Sequence, residues 1–184
     1  MTESVKIVIP DFLTHYYENM KKSVSTDPTT PNILKVIDLL ADTAPKLESL
    51  CERLNGEQFR QPLGADERSL TEDLAHLIHN EARTSEAIYL ALLLDEPSLP
   101  DIHSERDWGK LLRYDLLSFS DLLAYFKIRR SVLLRVLTSL TDEQWTRSIR
   151  ESGKKRQESV YWRARALAMH ELDHLTDLQK KLSR

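Results

Sequence analysis

Apolar residues recur with a period near 3.6 along most of this chain, and that period predicts four long helices. The first follows Pro31. In "NILKVIDLLADTAPKLESLCERL" the residues Ile33, Val36, Ile37, Leu40, Leu47, Leu50 and Leu54 share one face. Pro45 falls inside this run and is expected to kink the helix or divide it in two, because proline lacks an amide proton and crowds the preceding turn. The second helix starts at Ser69, where Ser69 and Glu72 form an S-x-x-E capping box, and stops before Pro97. The third covers about 119–139 and the fourth about 159–182. "TDEQW", 141–145, reads as a capped single turn between them. No stretch alternates convincingly with period two, so strands are not expected. The fold class is therefore all-α, a four-helix bundle.

An additional short amphipathic helix is expected at the N-terminus, in "PDFLTHYYENMKKSV" after Pro10. His15 lies in it and reads as a surface or packing residue. "STDPTTP", 25–31, reads as a linker. The organisation expected is an N-terminal helical extension and linker, 1–30, followed by the bundle, 31–184. A charged loop containing His103 and Trp108 separates the second and third helices, with room for a short helical turn.

The formal net charge of −3 argues against a dedicated nucleic-acid or membrane-surface binder. The charge is uneven: residues 1–120 carry 12 basic and 21 acidic side chains, residues 121–184 carry 14 and 8. The basic excess is densest at "RSIRESGKKR", 147–156. Without interleaved aromatics, that stretch reads as a solvated loop and not as a nucleic-acid patch. The single cysteine, Cys51, forms no intrachain disulfide; it reads as a small buried hydrophobe and fits a reducing, cytoplasmic location. No signal peptide is read at the N-terminus. "AIYLALLL", 87–94, is too short to span a bilayer.

The candidate chemistry lies in "ALAMHELDHLTDLQKKL", 166–182. Advancing about 100° per residue from His170 puts His174 about 40° away, Leu167 about 60° and Leu178 about 80°. Both imidazoles edge the apolar stripe, one turn apart, close enough to bind a single ion. A hydrogen-bonded boundary pair has the same spacing, so both readings stand on this helix alone. In the second helix His76 faces inward, whereas His79 lies nearly opposite the stripe and is expected to face solvent. If His170 and His174 bind a metal, His76 is the natural third ligand. Glu81 and Glu171 fall inside the apolar stripes of their helices. Buried carboxylates are costly without partners. Either these helix ends are open to water, or the two acids orient histidine ligands or move protons.

"HELDH" also matches the zinc-protease pattern H-E-x-x-H, but the rest of that constellation is missing. The extended form needs Gly at 177 and His at 180; this chain has Asp177 and Lys180. No Gly-rich phosphate loop and no Ser-His-Asp arrangement is present.

An inward histidine early in helix two, followed by H-x-x-x-H in the last helix, resembles the DinB-like superfamily, also called the YfiT-like metal-dependent group. "SLTEDLAHLIHNE", 69–81, "RRSVLLRVLTSLTDEQW", 129–145, and "HELDHLTDLQ", 170–179, carry the resemblance, which covers roughly residues 32–184. The chain departs from the family pattern where Arg68 precedes Ser69 in place of a usual tryptophan, and in a Gln displaced near the end of the last motif. The resemblance implies a divalent metal, zinc or nickel, held by His76, His170 and His174. It also implies a metal-dependent enzyme, a small-thiol S-transferase or a hydrolase-like activity on a small molecule, with Glu81 and Glu171 as catalytic candidates. The rival reading is a non-catalytic metal-binding or stress-response bundle. The partners expected are a small-molecule substrate, a low-molecular-weight thiol among them, and a second copy of the chain as a homodimer. No nucleic acid or membrane is expected.

Overall fold

The computed structural model describes residues 19, 23–153, 155 and 157–182. Four long helices carry the structure: α1 (Thr30–Cys51), α2 (Leu70–Leu93), α3 (Phe119–Thr138) and α4 (Val160–Leu182). Their starts are set by caps. Ser69 accepts from the Glu72 amide while the Glu72 carboxylate accepts from the Ser69 amide at 2.8 Å, so the predicted box is fully formed. Ser118 caps α3 by accepting from the Asp121 amide, and Thr141 with Gln144 forms a second box at the short turn Asp142–Thr146. Pro45 neither divides nor ends α1. Val36, Leu40 and Ala44 before it and Leu47 and Cys51 after it are all buried, so packing holds the helix together across the missing hydrogen bond.

α1 packs on α3 and α4, and so does α2; α1 and α2 stand on a diagonal, as do α3 and α4. Consecutive helices α1 and α2, and α3 and α4, are therefore not neighbours, and the connections must cross the bundle ends. The connection between the neighbours α2 and α3 instead crosses over the outer face of α2, and this crossover holds a π-helical turn (Ser104–Gly109) and a 3-10 turn (Tyr114–Leu116). A small sheet joins it to the α3–α4 connection: β1 (Ser98–Leu99) runs parallel to β2 (Ser148–Glu151), which pairs antiparallel with β3 (Glu158–Ser159). Strands of two to four residues leave no detectable alternation, so the sequence carries no signal for them. Buried arginines anchor this sheet to the bundle. Arg83 of α2 donates to the Pro100 carbonyl at 2.6 Å, and Arg163 of α4 pairs with Glu158 at 2.6 Å and with Glu151.

The expected N-terminal helix, with His15, lies mostly outside the described residues. Its last residue and the start of the linker run along the bundle: Val24 is buried in the core, its carbonyl accepts from Arg165 Nε at 3.0 Å, and the Ser25 carbonyl accepts from the Tyr161 hydroxyl at 2.7 Å. No described helix is long and apolar enough to cross a membrane.

The core comes in two apolar clusters. One gathers Leu40, Ile88, Leu133, Tyr161 and Leu172; the other gathers Leu47, Leu74, Ile78, Phe126 and Leu175. Between them lies a layer of buried polar side chains, one from each helix: Thr43, Glu81, Arg130 and Glu171. Arg130 donates through Nε and Nη2 to Glu81 at 3.2 and 2.9 Å, through Nη1 to Glu171 at 2.9 Å, and to the Leu40 carbonyl at 2.5 Å. Thr43 donates to Glu171 at 2.8 Å.

Candidate metal centre

His76 comes from the second turn of α2, His170 and His174 from successive turns of α4, the helix packed beside it. The structure brings these three together. One ring nitrogen from each lies within 4.8 Å of the others, and His76 Nε2 stands 3.0 Å from His170 Nε2. Ring centroids are 4.5–5.0 Å apart. All three rings are half-buried at the edge of the bundle core.

Burial, with Arg68 and the neighbouring imidazoles adding to it, pushes the His76 pKa down to about 3. Burial, His170 and Arg68 push His174 down to about 4. These two rings are therefore neutral near pH 7 and keep a lone pair for an electrophile. The donor set suits a divalent transition metal, because zinc takes imidazole nitrogens at about 2.0–2.1 Å in tetrahedral array, which places ligand atoms roughly 3.3 Å apart.

Two residues that sequence reasoning did not single out support the rings. The Asn80 amide nitrogen lies 3.1 Å from His76 Nε2 and 3.2 Å from His170 Nε2, spanning both helices. Asp73 Oδ1 lies 3.9 Å from His174 Nδ1, placing a buried carboxylate behind a ring. A signal for Asp73 was present: it stands one turn before His76, on the inward side of α2. Burial raises its pKa, with Arg68 and Lys181 opposing.

Glu81 and Glu171 are fully buried at mid-bundle, not at a wet end. Their hydrogen bonds run to Arg130 and Thr43, and Arg129 Nε lies 3.6 Å from Glu81. The expectation for His79 does not hold. It is buried because the crossover folds over this face of α2, and its ring stacks on Tyr114 at 5.1 Å. It stands outside the three-donor cluster. Cys51 is buried, and burial pushes its thiol up to about 11, as a structural cysteine requires. A cavity of about 550 Å³ opens between α2 and the crossover, with His76 in its wall.

Comparison with known proteins agrees with this fold. YfiT from Bacillus subtilis, described as a probable metal-dependent hydrolase with an unusual four-helix bundle topology, superposes with a TM-score of 0.75 at 19% identity, over 87% of this chain and 90% of that one. A Streptococcus pneumoniae protein superposes with a TM-score of 0.62 at 14% identity, over 91% and 97%. No curated protein matches the sequence significantly. The family model of the DinB superfamily matches residues 39–178, more than half of the chain and all three imidazoles, and the chain belongs to that superfamily.

Proposed function

We propose that His76, His170 and His174 hold a divalent metal, zinc or nickel, and that the protein is a metal-dependent enzyme acting on a small molecule by hydrolysis or by thiol transfer. The observation that carries this reading is the convergence of three ring nitrogens from two helices. When bound, such an ion supplies Lewis acidity that lowers the pKa of water or of a thiol. Among the described residues only three ligating groups gather here, which favours positions left open for substrate over the closed four-ligand set of a structural site. The neighbouring cavity favours the enzyme reading for the same reason.

The protein's own residues have separable tasks in this reading. Burial keeps His76 and His174 unprotonated, ready to bind. Asn80 spans two of the rings and holds their spacing. Asp73 sets a buried carboxylate 3.9 Å from the Nδ1 side of His174. Glu171 and Glu81 act as positioning residues: each follows a residue of the site (His170 and Asn80) and pins that turn to Arg130.

Elemental analysis of purified protein and of His170→Ala tests the metal. Unchanged metal content in the variant would remove the site. A panel of low-molecular-weight thiols with monochlorobimane, run beside ester and amide substrates, then separates transfer from hydrolysis. Bound metal with no turnover on any of them would leave the non-catalytic metal-binding reading.

A further inference from the structure

We propose that the cavity beside His76 takes a small molecule bearing an oxyanion, a carboxylate or a phosphate, held by cations of the α2–α3 crossover with its reacting end toward the imidazoles. The choice of reacting end rests on the metal reading above; the anion preference does not.

The cavity has the volume of a small-molecule site, about 550 Å³. Positive charge comes from both walls: Arg68 immediately before α2, and Arg106, Lys110 and Arg113 on the crossover. Four described acids nearby are already engaged, and the first, Asp73, lies 3.8 Å from Arg68 Nη1. The Glu72 carboxylate is taken up by the α2 cap, accepting from the Ser69 amide and hydroxyl at 2.8 Å each. Both oxygens of Asp115 accept from Arg113, at 3.0 and 2.9 Å. Asp107 accepts from Arg106 Nε and Nη2 at 2.9 Å each. An arginine has five N–H donors and each of these pairs uses one edge of the guanidinium. The acids thus hold two arginines in place while donors remain for a ligand. Lys110 makes no hydrogen bond or ion pair among the described residues. Arg68 lines the same wall as His76. Imidazole ligands bring no negative charge to offset a bound cation. A neutral solute gains little from such a wall, whereas an anion gains from every part of it.

Calorimetric titration of the full chain at low ionic strength, with and without Zn²⁺, tests this with succinate, inorganic phosphate and neutral succinamide as probes. Succinate or phosphate is expected to bind about tenfold more tightly than succinamide. Lys110→Gln with Arg113→Gln is expected to reduce that preference to about threefold or less, with zinc content and circular dichroism unchanged. Preference for succinate alone identifies the anion as a carboxylate, for phosphate alone as a phosphate; either supports the proposal. Zinc binding with no preference over succinamide overturns the anion site and leaves the metal centre standing. Anion preference without zinc binding does the reverse. A preference that survives the double substitution undiminished also overturns this assignment.

Discussion

Two polar clusters meet on one turn of α4, and they are built on opposite rules. Glu171 belongs to the layer around Arg130, where charges of opposite sign face each other, each fully buried and hydrogen-bonded across four helices. His170, its neighbour in sequence, belongs to a cluster of like groups: three imidazoles, half-buried and aimed at each other. The first arrangement answers the cost of burying charge. The second is held by fewer and weaker bonds, one between His76 and His170 at 3.0 Å and those of the Asn80 amide, and it makes chemical sense when an electrophile joins the rings. Complementary partners mark structure; converging bases mark a site.

The comparison breaks most visibly at Arg130. Arg130→Met strands two buried carboxylates and should cost about 3–5 kcal/mol in urea unfolding. Adding Glu81→Gln and Glu171→Gln should recover about half of that loss, since no ionised acid is then left unpaired. A loss under about 1 kcal/mol for the single variant would show that the layer is no unit. His170→Ala should do the reverse: metal content falls from about one ion per chain to near zero, while the metal-free protein loses no more than about 1 kcal/mol.

The third measurement is pH dependence. The folded-state values of about 3 for His76 and about 4 for His174 lie below the ordinary histidine value of 6.5. The native metal-free chain therefore binds fewer protons than the unfolded chain over that window. Stability from these two rings is complete above 6.5 and is lost as pH falls from 6.5 to about 4 for His174 and about 3 for His76. The urea midpoint of chelator-treated protein should drop between pH 7 and pH 5, and His76→Gln with His174→Gln should flatten the profile. The smallest effect belongs to Thr43→Val, which removes one buried hydrogen bond to Glu171. It should cost about 1 kcal/mol without changing metal content.

Much of this was legible along the chain, for local reasons. The S-x-x-E box, the 3.6-residue apolar period and the His170–His174 spacing are each written within a few residues. Arg130 was legible in principle: it lies between Phe126 and Leu133 on the apolar stripe of α3, and two acids on facing stripes called for a buried cation. His79 was not legible, because what buries it is a crossover over thirty residues away in sequence. The sheet was hidden for a related reason. Its strands are held by long-range partners, Pro97 with Arg150 and Leu99 with Ser152, and not by alternation.

A bundle of leucines can slip a helix by one turn, about 5.4 Å, and still bury apolar surface. This one resists such a slip, because any helix that slipped would bring a leucine opposite a guanidinium or leave a carboxylate facing hydrocarbon. Glu81 directly follows Asn80, and Glu171 directly follows His170. The layer that sets the register of the four helices therefore also sets the height at which the imidazoles meet.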